Sequence, residues 1–126
     1  MIAEKFQAMV QLGSANSRMN DFYDIWLLSQ SFDFVGSVLQ LAVSKTFENR
    51  KTSMETEPLV LTVAFAESSQ PAAHWAAFEK RSKIEGCPAA LVQVVKDLRV
   101  FLLPLAESVV DQKNFDLHWS SLGPWK

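Results

Sequence analysis

The sequence is poor in the residues that build several common kinds of site. It has one cysteine, Cys87, and two histidines, His74 and His118, far apart along the chain. That excludes an intrachain disulfide and leaves no Cys/His set for zinc. An excess of basic charge is missing as well. With a formal net charge of −2, no general basic field is available to grip nucleic acid through its phosphates, and any such contact has to be local. No apolar run approaches the ~20 residues of a membrane span. The opening Met1-Ile2-Ala3-Glu4-Lys5-Phe6 lacks the basic leader and apolar block of a signal peptide. A soluble protein of the cytoplasm, with no membrane partner, is the expectation. Only four glycines and five prolines punctuate 126 residues, too few for a turn-rich sandwich, and the length suits a single domain spanning 1–126.

What the chain has is long apolar periodicity. Ile2, Phe6, Met9 and Val10 mark a helix over about 2–12 that Gly13 stops. After a short joint, Asn16 or Ser17 is placed to cap a second helix over about 17–30, with Phe22, Ile25, Trp26 and Ser29 as its inner stripe. Asp33 is placed to cap a third, about 34–49, whose inner face would hold Val38, Leu41, Ala42 and Phe47. Asn49 to Pro58 reads as a surface loop. Leu59 to Ala66 has strand propensity but no strand to pair with, so a short helix from about 63 fits better. Pro71 suits the first position of a long helix carrying Trp75 and Phe78. Pro88 opens the last helix, with Leu91, Val94, Val95, Leu98, Phe101 and Leu102 inward, and Pro104 kinks or ends it. The tail from Phe115, with Trp119 and Trp125, is irregular and pinned by its aromatics. The expected fold is an all-α bundle of about five helices. Met1 is followed at once by amphipathic pattern with no capping residue, as in a truncated chain that begins inside an element.

The first two helices carry charge on the wrong face. At about 100° per residue, Lys5 falls between Leu12 and Met9, inside the apolar stripe, while Glu4 points away. Arg18 falls beside Ile25 and Asp21 beside Leu28; Asp24 sits at the edge of that face. An unpaired buried charge costs several kcal/mol, so these groups either pair or line a wet cleft. One reading is a structural Lys5–Asp21 or Arg18–Asp21 pair that fixes helix register. The other is a cleft where Lys5 and Arg18 meet phosphates and the aspartates orient them, since ammonium and guanidinium are the usual phosphate partners.

Ala3-Glu4-Lys5-Phe6-Gln7-Ala8-Met9, followed by Ser17-Arg18-Met19-Asn20-Asp21-Phe22-Tyr23-Asp24-Ile25-Trp26-Leu27-Leu28, resembles the helical half of the AbiEii/AbiGii-type nucleotidyltransferase toxins. Phe32-Asp33-Phe34, Thr46-Phe47-Glu48-Asn49-Arg50 and the Trp75-to-Phe101 region fit the same family. The resemblance implies the toxin of a type IV toxin–antitoxin pair. By position Lys5 and Asp21 would be its motif lysine and aspartate, the candidate catalytic residues, with Lys5, Arg18, Asp21 and Asp24 facing the nucleotide. Two positions depart from the pattern: Asn20 stands where the family often has Lys, and Val35 replaces a frequent Asp. Absent altogether are the Gly-rich strand-to-helix turn and D-x-D carboxylate pair of the catalytic half. Gly13-Ser14 follows a helix, and Glu55-x-Glu57 lies in a loop. Mg²⁺ and an NTP are therefore implied for the complete enzyme, while this chain alone is expected to hold neither cofactor nor metal. Its implied partners are the missing catalytic half or a second copy, a cognate antitoxin, and nucleic acid only through the complete enzyme. The alternative from a different class is a stand-alone, non-enzymatic helical interaction module, self-associating or antitoxin-binding through an apolar patch on the first helices.

Other constellations are weaker. No G-x-S-x-G supports Ser/His/Asp hydrolysis. Cys87 at a helix start could have a lowered pKa, or be a small half-buried residue. Glu79-Lys80-Arg81-Ser82-Lys83 reads as a charged helix end. Four tryptophans without interleaved basic residues suit packing better than base stacking.

Overall fold

In the computed structural model, which describes residues 2–82 and 86–126, the first helix α1 spans Ile2–Leu12. Gly13 ends it at φ +54, the left-handed conformation that glycine adopts at little cost. The second helix, α2, spans Met19–Ser31 and starts two residues later than its pattern suggests. The reason is local. The Asn16 side-chain oxygen accepts the Arg18 backbone N–H at 2.7 Å, which holds the joint in a turn, and neither Asn16 nor Ser17 caps the helix. Phe22, Ile25 and Ser29 are buried as expected, and Trp26 is half-buried.

Asp33 does not cap the third helix. Phe34–Val35 form a short strand, β1, paired antiparallel with β2 (His118–Trp119) in the register Phe34 to Trp119, so α3 begins only at Gly36 and runs to Asn49. The Asp33 carboxylate instead accepts the Ser121 backbone N–H at 2.8 Å. The pairing also corrects the inner face of α3. Gly36, Leu39, Val43 and Phe47 are buried, whereas Val38 and Leu41 are 66% and 56% exposed and Ala42 is exposed too. Gly36 donates its N–H to the Leu117 carbonyl at 2.8 Å, and a Cβ there would run into the Leu117 and Phe115 carbonyls. Backbone contact with the tail thus sets the rotation of α3 about its axis. The tail is less irregular than its sequence suggests, since β2 is part of it.

Leu59–Leu61 make a 3₁₀ turn and α4 follows over Val63–Glu67, with the Thr62 hydroxyl accepting the Phe65 N–H. The strand propensity of this run goes unused. Helix α5 spans Ser69–Ser82, and Pro71 is its third residue rather than its first, still within the turn whose N–H groups have no intrahelical partner. The last helix, α6, spans Leu91–Val110; Pro88 lies three residues ahead of it, and Pro104 sits inside it without ending it. Helix α6 is the central strut, touching α2, α3, α4 and α5. Its Leu98, Phe101, Leu102 and Leu105 are fully buried, each stabilising by about 1.5–3 kcal/mol relative to exposure. The described residues thus form an all-α bundle of six helices with a two-stranded ribbon at the tail. Among them no helix is long and apolar enough to cross a membrane. Met1 and Lys83, which figure in the sequence expectations, lie outside the described residues.

Candidate functional site

Helix α1 presents Lys5, half-buried, about two turns before the joint, and α2 presents Asp21 and Asp24 one turn apart on the facing side. The Lys5 ammonium bridges them: it lies 2.8 Å from Asp24 Oδ2 and 3.7 Å from Asp21 Oδ1. Arg18 Nε reaches the other Asp21 oxygen at 3.3 Å. All four residues singled out in the sequence therefore meet. One placement differs from the helical-wheel reading. Arg18 precedes α2, at φ −85 and ψ 73, so its side chain is not inward but 60% exposed. Asp21 is the buried member, its side chain only 2% exposed.

The electrostatics follow from that geometry. The hydrogen bond to Asp24 raises the Lys5 pKa above the ordinary lysine value; partial burial opposes this, and the charges of Asp24 and Asp21 add to it. Lys5 is accordingly a fixed cation. Asp21 Oδ2 lies 3.3 Å from Arg18 Nε within the ion pair but receives no hydrogen bond. A buried carboxylate oxygen without a donor is uncommon in a region organised for stability alone.

Two clefts open on either side of this unit, and Lys5, Arg18 and Asp21 line both. One, about 420 Å³, also takes Glu4, Ala8 and Arg50. The other, about 240 Å³, takes Asp24, Asn20, Phe78 and Arg81. The sequence reading missed Arg50 and Gln7. Arg50 follows the end of α3 and has no periodicity to betray it. Gln7 was legible: it lies four residues after Ala3 and three before Val10, on the apolar stripe, and is fully buried. Its side-chain oxygen accepts Arg50 Nη1 at 3.0 Å.

The residues present do not fit a divalent metal by themselves. Mg²⁺ demands an octahedron of oxygens; here the two carboxylates are already matched by Lys5 and Arg18, and no group of three metal-capable side chains occurs among the described residues. Glu57 of the Glu55-x-Glu57 loop is engaged with Arg99 at 3.2 Å. Cys87 precedes the start of α6 at Leu91, and burial, helped by the Glu79 carboxylate, pushes its thiol up rather than down, against the activated-thiolate reading. The tryptophans serve packing. The indole N–H of Trp26 donates to Asp97, that of Trp75 to the Pro88 carbonyl, that of Trp119 to Ser29 and that of Trp125 to Phe101.

A family model described as Nucleotidyl transferase AbiEii toxin, Type IV TA system, matches residues 1–94. Lys5, Arg18, Asp21, Asp24 and Arg50 all fall within that span. No curated protein and no solved structure matches the chain.

Proposed function

The chain belongs to the AbiEii nucleotidyl transferase toxin family of type IV toxin–antitoxin systems, and from that premise we propose that it supplies the nucleotide-facing helical side of a transferase site and transfers no nucleotide by itself. The observation that carries this reading is the convergence of Lys5, Arg18, Asp21 and Asp24 at the smaller open cleft, with buried Asp21 holding two cations toward solvent. Positioned cations oppose the charge of a transferring phosphoryl group, and a carboxylate behind them fixes their place. The sequence has no D-x-D pair, so the carboxylates for Mg²⁺ come from residues other than these. The compartment is the cytoplasm and the regulatory partner is a cognate antitoxin.

Titration with an NTP and Mg²⁺, followed by NMR or calorimetry, tests the reading. Lys5→Ala and Asp21→Asn should lose binding while keeping helical content and a cooperative unfolding transition. Equal binding by both variants would sink it. Mg²⁺-dependent labelling of RNA or protein by the 126-residue chain would sink the second half of the proposal.

A second reading, the non-enzymatic interaction module, draws on one observation. A largely apolar groove of about 630 Å³ runs among the start of α1, the end of α2 and α3, beside exposed Phe32 and Ala42. Sedimentation equilibrium reporting a dimer that Phe32→Asp dissolves, together with no NTP binding, would favour it.

A further inference from the structure

We propose that the outer face of α3 is a self-association surface, on which a second copy of this chain packs its own α3 antiparallel. None of the α3 residues that form it lines either charged cleft. The surface is therefore independent of the nucleotide-facing reading, and it gives the interaction-module reading, on which it builds, a partner and a geometry.

Helix α3 is apolar on two sides. Its inward row, Gly36, Leu39, Val43 and Phe47, meets the core. A second row, Val35, Val38, Ala42 and Lys45, repeats at three- and four-residue spacing on the outside, with exposed Leu41 beside it. That is the spacing by which one helix meets another. A surface helix of a chain that stands alone needs one apolar stripe, and its opposite face is ordinarily polar. Here Phe32 and Val35, 57% and 46% exposed, carry the outer row back toward the end of α2. Exposed apolar side chains thus recur from 32 to 42 instead of occurring singly, the pattern of a surface that meets a partner. Beside the row runs the groove of about 630 Å³, with Leu28, Phe32, Leu39 and Ala42 in its lining.

What covers the face follows from its charges. Lys45 lines the groove late in α3 and makes no ion pair among the described residues. Asp33 lines the same groove just ahead of β1 and α3; one of its oxygens accepts the Ser121 N–H, and no cation pairs with it among the described residues. Opposite charges thus stand at the two ends of an apolar row, with about 14 Å of helix between Gly36 and Lys45. Glu4, the groove's other charged residue, lies on α1, off this row. A two-fold interface uses the same patch on both copies, so the patch has to complement itself. Antiparallel packing centred at the level of Gln40 sets Val38 against Ala42 of the second copy and brings Lys45 of each to the Asp33 end of the other. Parallel packing would set lysine beside lysine and aspartate beside aspartate, which is unfavourable. The face carries both halves of the contact itself, which singles out a second copy over an unrelated helix. A formal net charge of −2 offers little general repulsion to that copy.

Sedimentation equilibrium of the whole chain, from about 10 μM to about 1 mM, reads the association over the range of weak contacts. A monomer–dimer equilibrium is expected. Val38→Glu should weaken it about tenfold or more while leaving the unfolding midpoint unchanged, because the side chain is exposed in the monomer. Lys45→Glu should weaken it about tenfold, since both symmetric contacts turn repulsive, and Lys45→Glu combined with Asp33→Lys should restore it. Should Asp33→Lys unfold the tail, cross-linking reads the register instead. In a Cys87→Ser background, Val38→Cys mixed with Ala42→Cys should form a disulfide-linked heterodimer faster than either variant alone forms a homodimer. The proposal is overturned by a chain that stays monomeric throughout the range, by a dimer that Val38→Glu leaves intact, or by fastest cross-linking of Val38→Cys to itself, the mark of parallel packing. A dimer that resists Val38→Glu but dissolves with Phe32→Asp rejects this packing and keeps the interaction-module reading. NTP binding should be the same for Val38→Glu and the parent, and its dependence on Lys5 decides the nucleotide-facing reading separately.

Discussion

Around Phe101 and around Asp21 the molecule is held by different physics. The Phe101 ring meets Trp119 edge-on at 4.8 Å and lies parallel to Trp125 at 5.7 Å, and each indole N–H finds a backbone carbonyl. The tail is thereby clasped to α6 with its polar groups satisfied and its apolar area buried, an arrangement that maximises stability. Around Asp21, four charged groups crowd one joint, a buried oxygen goes without a donor, and two open clefts flank the cluster. Local rules of good packing tend to be broken where a site needs something other than stability. The clasp lies beyond residue 94, outside the span matched by the family model, and the charged cluster lies within it.

The contrast is broken most severely from the clasp. Trp119→Ala should destabilise by about 3–5 kcal/mol, the usual loss for a buried aromatic truncated to alanine, read from the urea midpoint at unchanged slope. If the two regions are separate, the surviving folded fraction binds an NTP as before. Gly36→Ala acts on the same seam by a different route, since the new methyl meets the backbone carbonyls of Leu117 and Phe115, which cannot rotate away. Overpacking of this kind costs about 1–3 kcal/mol. A variant as stable as the parent would mean that α3 can rotate without the ribbon.

The charged side is sharpened by smaller effects. Lys5→Met leaves buried Asp21 with Arg18 as its remaining ion-pair partner and should cost about 1–3 kcal/mol; Asp24→Asn, at a 39% exposed side chain, should cost about 1 kcal/mol or less. Equal losses in denaturant would refute the ordering by burial. The alkaline limb gives an independent check. Because Asp24 raises the Lys5 pKa in the folded state, the folded chain holds that proton more tightly than the unfolded one. The contribution is fully present below the unfolded value, about 10.5, and disappears as pH rises through the higher folded value. Asp24→Asn removes the chief cause, so the stability gap between parent and variant should close as pH rises through that window.

Much of this was legible in the residues. The all-α bundle followed from the apolar stripes, and the meeting of Lys5, Asp21 and Asp24 followed from counting 100° steps along two helices. What failed were readings that needed partners distant in sequence. Asp33 looked like a cap until Ser121, 88 residues on, claimed its carboxylate. The inner face of α3 was misjudged because backbone contact of Gly36 with Leu117 sets its rotation. Arg18 was placed on a helical wheel it precedes. Arg50 enters the site only because a non-periodic turn folds back onto Gln7. Periodicity reports a helix's own face, whereas caps, ribbons and tethers depend on what the rest of the chain brings near.

Cys87 offers the smallest effect and tests whether the chemistry of the domain is confined to the charged cluster. A thiol at a helix start beside a cation would be ionised at neutral pH and react quickly. This one lies before α6, half-buried, with Sγ 3.9 Å from the Glu79 carboxylate. Burial first, and that negative charge second, disfavour the thiolate. Alkylation by iodoacetamide at neutral pH should therefore be slower than for a free cysteine peptide, and its rate should rise only once the pH exceeds the ordinary thiol value of about 9.0. Glu79→Gln should shift that profile modestly toward lower pH, because it removes the secondary cause and leaves the burial. A fast, pH-independent reaction would mean an activated thiol in the domain, and the division between a charged joint and an inert packed remainder would fail.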